Sequence, residues 1–281
     1  MRGRLGERLG AGVFVALAAV ALLFLALPIV GIFVHTTPGN LIGQLSNPVV
    51  KDAFVVTLKT SLVAQALILF FGTPTAYLIA TRRFTGRSLA ITLVELPLVL
   101  PPAVAGLGLI FALSRVGFLG PTLEKLGISL SFGTQAAVTV AVAYIASPLY
   151  IRQAIAAFEA VDPRLPAASR TLGAGPVRTF FHVMLPIARG GLIAGLALSF
   201  ARGLGEFGAT IMFAGSLQHV TQTLSLAIYA EFDHSFDATL AMGGVLVIVS
   251  ALLLLTLRIA LSWQRSPSNT SPSLFGLSSS T

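Results

Sequence analysis

Glu95, Arg202 and Glu206 are charges inside long apolar runs of this 281-residue sequence. A charge in lipid is costly, and such residues as a rule face a cavity, a pathway or an opposite charge. Arg202 and Glu206 stand four residues apart, which puts them on one helix face. They lie in RGLGEFGAT, where Gly203, Gly205 and Gly208 weaken a helix and let a neighbour approach closely. Glu95 opens ELPLVLPP; Pro97, Pro101 and Pro102 break the backbone there and free carbonyls that need partners. Two readings stand side by side. Glu95, Pro101, Pro102, Arg202 and Glu206 line a gate or pathway, or the charges form a structural ion-pair network that holds helices in register. Two acids repel a dianion, so Glu95 and Glu206 do not hold an anionic cargo directly. Of the three charges, the guanidinium of Arg202 is the one suited to an anion.

The sequence offers little other chemistry. It has no G-x-x-x-x-G-K-[ST], so it does not itself cradle ATP phosphates, and no H-E-x-x-H. His35, His182, His219 and His234 sit in separate polar segments and suggest no metal site. With no cysteine there is neither a disulfide framework nor a thiolate metal site. The sequence pI of about 10.8 does not signal nucleic acid. Its basic residues come in short clusters beside apolar runs, as membrane topology demands.

The elements that must position these charges are spanning helices. Hydrophobic residues make up 55% of the chain and charged ones 10%, which excludes an ordinary soluble domain. After a basic start carrying Arg2, Arg4 and Arg8, an apolar run covers Ala11 to Val34. It is too long for a signal-peptide core and has no small-residue cleavage site, so it reads as a retained first helix; cleavage is the alternative. A polar loop, His35 to Ala53, separates it from a second span at about Phe54 to Ala80. Further spans are expected at about Leu89 to Leu113, Thr134 to Phe158 (kinked near Pro148), Ile187 to Phe213 and Thr239 to Leu261. A long polar loop, Ala214 to Ala238, precedes the last of these, and a Ser- and Pro-rich tail from Ser262 is expected to be disordered. The expected organisation is therefore residues 1–53 (basic segment, first helix and outer loop), 54–261 (transmembrane domain) and 262–281 (tail).

Orientation follows from Lys and Arg. Only Lys51, Lys59, Arg115 and Lys125 fall on one side and Arg202 lies within a span; the other thirteen of the eighteen are on the opposite side. The majority side is cytoplasmic. Both termini are then inside, and the loop 214–238, which has no Lys or Arg, is outside.

The longest polar, basic stretch between spans is DPRLPAASRTLGAGPVRTFFHVMLP, Asp162 to Pro186. It reads as two short helices hinged at glycines. Asp162 caps the first, and Gly173 closes it in the left-handed conformation. Pro166 is expected to delay the start of that helix to Leu165 or Pro166. Pro176 sits in the first turn of the second helix. Val177, Phe180, Phe181 and Met184 then form one apolar stripe, with Arg178 and His182 opposite. A generic amphipathic loop on the membrane surface is the plain alternative.

This segment resembles the cytoplasmic coupling loop of ABC importer permeases, E-A-A-x3-G-x9-I-x-L-P. The pattern falls on Ala167, Ala168, Ser169, Gly173, Val183, Leu185 and Pro186. Ala167 stands where the family has glutamate, which removes any salt bridge that glutamate makes. ELPLVLPPAVAGLGL, RGLGEFGATIMFAG and TQTLSLAIY are similar to permeases of molybdate ABC importers, and the E-F-G-A segment is shared with sulfate permeases. The resemblance implies an all-α membrane protein with six transmembrane helices and the type I importer permease fold. It implies a homodimeric translocation subunit, not an enzyme, for molybdate and tungstate. Asp162, Arg164, Ala167, Ala168, Gly173, Arg178, Leu185 and Pro186 would meet a cytoplasmic ABC ATPase that uses ATP and Mg. An extracytoplasmic molybdate-binding protein would deliver the anion. The chain itself would hold no cofactor, and its surroundings would be membrane lipid. A sulfate or thiosulfate permease is the close alternative. An ion-coupled secondary transporter is a more distant one, since no inverted repeat is evident.

Overall fold

A computed structural model describes residues 2–36 and 38–264, all helices and connections with no strand among them. In chain order the helices are α1 (Arg2–Val34), α2 (Pro38–Gln44), α3 (Pro48–Thr81), α4 (Arg87–Val99), α5 (Pro102–Leu113), α6 (Gly120–Lys125) and α7 (Gln135–Glu159). They continue with α8 (Arg164–Thr171), α9 (Pro176–Thr179), a π turn (Phe180–Met184), α10 (Leu185–Leu204), α11 (Gly208–Ala214), α12 (Leu224–Glu231) and α13 (Phe236–Gln264). Five helical stretches are long and apolar enough to cross a membrane, and α4 with α5 makes a sixth if the bent pair counts as one span.

The core is built around α3, α7 and α10. Alanines and glycines let these helices approach closely. A Cβ added at Gly195 would lie 3.0 Å from Gln153 Cβ, and one at Gly203 would lie 2.9 Å from Val142. Close small-residue packing is what associates helices where lipid offers no hydrophobic gradient. Polar side chains stitch the same interfaces. Ser199 Oγ donates to Gln65 Oε1 at 2.9 Å, and the Thr73 and Tyr150 hydroxyls meet at 2.6 Å. Ile68, Tyr150, Phe158, Met184 and Leu192 fill one part of the core, and Leu109, Val138, Ile145 and Phe213 fill another. The long α1 leaves its apolar surface exposed from Ala11 onward, as a lipid-facing helix does.

Several expectations need correction. The third span is not one helix: α4 and α5 meet at 117° across Leu100–Pro101. Leu100 is extended, as a residue before proline prefers, and two successive prolines cannot continue the helical ladder. The fifth span is broken too, since α10 ends at Leu204 and the chain unwinds over Gly205–Phe207 before α11. The segment 214–238 is no plain polar loop. It contains α12, and Thr221 through Leu224, Leu226 and Ala227 are buried. Leu224 N donates to Thr57 Oγ1 of α3 at 2.8 Å, and Leu224 and Ala227 pack with Val50 and Met242. The segment 35–53 likewise holds α2 and the start of α3. At the C-terminus α13 reaches Gln264, three residues into the expected tail; residues 265–281 lie outside the described residues.

Candidate translocation site and coupling elbow

The two broken spans meet. A Cβ added at Gly208, the first residue of α11, would lie 2.7 Å from Pro102 Cβ and 3.4 Å from Ala103 N, at the start of α5. One turn on, a Cβ added at Gly106 would lie 2.7 Å from Met212 Cβ and 2.9 Å from the Ala209 carbonyl. No larger residue fits at either contact, so these glycines set the distance between the half-helices.

Glu206 organises this junction, and it does so from a non-helical segment. Arg202 Nη1 donates to its Oε2 at 2.9 Å, while Ala209 N donates to Oε1 at 2.8 Å. The carboxylate therefore pairs with the end of α10 and caps the first turn of α11 at once. Its backbone carbonyl accepts from Ser225 Oγ of α12 at 2.7 Å. The Glu206 side chain is fully buried, whereas Arg202 keeps 34% of its side chain exposed. Of the partners the sequence allowed Arg202, Glu206 is the one it meets.

Glu95 belongs elsewhere. Its Oε1 lies 3.2 Å from Arg152 Nε of α7, and both side chains are about half exposed. Two turns away Arg87 Nη2 donates to Glu159 at 2.6 Å, so α4 and α7 are joined by two ion pairs of opposite sense. Pro97 is the one buried residue of α4. Pro101 and Pro102 lie exposed in the break and belong with the Glu206 junction, not with Glu95.

The elbow is built differently. Asp162 Oδ1 accepts from Arg164 N at 2.9 Å and fixes the first turn of α8. The helix nonetheless starts at Arg164, ahead of the expected delay, because Pro166 is its third residue. A first-turn N–H has no intrahelical partner to lose. Gly173 closes α8 at φ +83°. The Ser169 and Thr179 hydroxyls, 3.2 Å apart, tie the two arms together. No residue of α8 is buried, and Arg164, Ala167, Ala168 and Arg178 all face outward.

The expected second helix and its stripe do not form as a unit. The four residues of α9 run through the π turn into α10. Pro186 has no N–H to give, so the ladder loosens there and Leu185 N reaches back to the Phe180 carbonyl. Leu185 and Pro186 thus open α10. Val177 and Phe181 are exposed, while Phe180 and Met184 turn inward. The Phe180 ring centroid lies 4.8 Å from that of Tyr77 on α3 and 6.1 Å from that of Phe158 on α7.

Sequence reasoning missed Arg152, Ala209 N–H, Ser225, Tyr77 and Phe158. Arg152 alone left a signal, as a basic residue six positions inside the end of an expected span. The histidines are scattered: His35, His182 and His234 each lie within 3.2 Å of the carbonyl four residues back. His219 Nδ1 lies 2.7 Å from Asp52.

A bundle of apolar helices, two of its spans broken and stitched by charge, with an exposed basic elbow between two others, is a multi-pass membrane transport component. More specifically, residues 72–264 match the binding-protein-dependent transport system inner membrane components, and the chain belongs to that family. It is 38% identical over 244 residues to the molybdenum transport system permease of Mycobacterium tuberculosis, covering 86% of this chain and 92% of that one. It is also 38% identical over 216 residues to the sulfate transport system permease of Escherichia coli, covering 76% and 77%. A solved bacterial alginate ABC transporter, in complex with a pentasaccharide-bound periplasmic protein, has the same fold. Its matching chain gives a TM-score of 0.67 at 18% identity, with 92% of this chain and 94% of that chain covered. The expected all-helical importer permease fold is the one observed, with five candidate spans, or six where the bent α4–α5 pair is counted as one.

Proposed function

We propose that this chain is the membrane-spanning subunit of an ATP-driven importer for molybdate, with tungstate as a second cargo. The observation that carries the cargo is the similarity to a molybdenum permease along 86% of the chain. The sulfate reading rests on equal identity over a shorter stretch.

Two copies of the chain enclose the pathway, and an extracytoplasmic binding protein delivers the anion to the outer face. A cytoplasmic ATPase, which uses the ATP and Mg, seats on the elbow. The elbow's exposed backbone, its outward Arg164 and Arg178, and its direct continuation into α10 support that seat. ATP-driven closure then moves α10 through the π turn, whose Phe180 is wedged against α3 and α7.

Molybdate uptake in a strain lacking its own permease, restored by this chain with its partner subunits, tests the cargo; restored sulfate uptake alone favours the alternative. Orientation is tested separately. A reporter fused after Arg87 reads cytoplasmic and one within 218–223 reads external, and the reverse pattern overturns the charge argument.

A further inference from the structure

Both oxygens of Glu206 are occupied, one by Arg202 and one by Ala209 N–H. The guanidinium of Arg202 is not used up. It carries five N–H donors, its bond to Glu206 is through Nη1, and a third of the side chain remains exposed. An exposed cation edge on a spanning helix faces water or protein, not hydrocarbon. A second feature at the same junction calls for water or a covering protein. The chain from Pro101 to Val104 is exposed. The N–H groups of Ala103 and Val104, at the start of α5, have no partner within that helix. Open backbone of this kind survives at membrane depth only where it lines water or is covered by protein. Gly208 holds that segment against the residues following Glu206.

We propose that Glu206 is a positioning residue, which aims the free edge of Arg202 at the passing oxyanion and at the same time keeps that contact weak. The proposal rests on the reading of the chain as an oxyanion permease. A tetrahedral dianion accepts two parallel N–H donors from a guanidinium edge. A bare arginine in the pathway would also trap the dianion, and conduction needs binding favourable enough to enter and weak enough to leave. The carboxylate on Nη1 offsets the charge while leaving the donors in place. It cannot swing to compete with the cargo, because Ala209 N–H holds its second oxygen and Ser225 holds its backbone carbonyl.

The test uses the assembled complex with its ATPase, reconstituted with saturating binding protein. It reads molybdate uptake per complex and, separately, molybdate retained on the complex after turnover is stopped. Glu206→Gln keeps an amide oxygen for Ala209 N–H and removes the charge. Its uptake should fall about tenfold while retained molybdate rises severalfold over wild type, the signature of slow release. Arg202→Lys keeps the charge and loses the fork. It should assemble and stimulate ATP hydrolysis normally but take up molybdate about tenfold more slowly, without added retention. A merely structural pair moves only the amount of assembled complex. Wild-type uptake per complex and unchanged retention in Glu206→Gln would therefore overturn the proposal. If that variant does not assemble, wild-type uptake by Arg202→Lys overturns it alone. A wild-type complex that moves sulfate but not molybdate corrects the cargo, and the same comparison is then read with sulfate. One that moves neither refutes the permease reading and this proposal with it.

Discussion

The elbow and the Glu206 junction are both places where a helix is interrupted by glycine and proline, yet they are finished in opposite ways. At the junction the polar groups turn inward: the fully buried Glu206 carboxylate joins α10 to α11, its backbone carbonyl takes the bond from α12, and glycines bring α5 within van der Waals distance. At the elbow they turn outward. No residue of α8 is buried, and Leu172 is 88% exposed although it is apolar. A segment that satisfies its backbone locally and leaves leucine and arginine in the open is shaped for a surface outside the chain. A segment that satisfies its buried carboxylate within itself is shaped to hold the chain's own parts in one arrangement, with only the free edge of Arg202 left open.

The sharpest way to break this comparison is to remove a side chain from each region. Glu206→Leu leaves Arg202 without its partner and α11 without its cap. We expect a loss of about 3 kcal/mol, seen as a lower melting temperature and yield of purified complex. Arg178→Ala, on the elbow, should leave stability within about 0.5 kcal/mol and lower uptake per complex. Equal stability losses in the two variants would erase the distinction.

Gly173 gives an intermediate effect. Its φ of +83° penalises any residue with a Cβ, but a Cβ there would meet nothing within 4 Å. Gly173→Val therefore suffers only the conformational penalty, about 1–2 kcal/mol, confined to the end of α8. The expected outcome is normal insertion with ATP hydrolysis uncoupled from transport. Normal transport at normal expression would show that the shape of the closing turn does not matter to the partner.

The same contrast explains what could be read from the sequence. The elbow is local: Asp162, Gly173 and Pro176 act within a few residues of themselves, so capping and turn rules find them. The apolar stripe failed because that rule assumes 3.6 residues per turn, and the missing N–H of Pro186 produces a π turn instead. The Arg202–Glu206 pair was legible as a spacing of four. Its setting was not, because the helix ends between the two residues and the other partners come from Ala209 and from Ser225, 19 residues on. Likewise the prolines announced a break near Pro101, but only packing reveals that Gly208 closes on it. In the sequence Glu95 resembles Arg202, since both are charges in apolar runs, and nothing local assigns it to Arg152.

The smallest effect, and the finest probe of how α4 is held, lies in the two ion pairs between α4 and α7. Both are substantially exposed, so each should contribute well under about 1 kcal/mol, and Glu95→Gln alone should barely move the melting temperature. Their arrangement matters more than their strength. Along α4 the order is Arg87 then Glu95; along α7, running the other way, it is Glu159 then Arg152. Eight residues on one helix and seven on the other span nearly the same rise, about 12 and 10.5 Å at 1.5 Å per residue. Sliding α4 by that distance would set Arg87 beside Arg152 in one direction or Glu95 beside Glu159 in the other. Only the observed register joins opposite charges twice. With so little of α4 buried, charge sign does the specifying that a packed core does elsewhere. The exchange Glu95→Arg with Arg152→Glu preserves the local pair, but it leaves α4 with two cations and α7 with two anions, so a slip no longer meets repulsion. That double variant should keep the stability of the parent within about 0.5 kcal/mol while loosening α4. The measurement is disulfide crosslinking between cysteines placed on the two helices. Crosslinks confined to the native register would show that the hinge at Leu100–Pro101 positions α4 by itself, and crosslinks at slipped positions would assign that task to the alternating pairs.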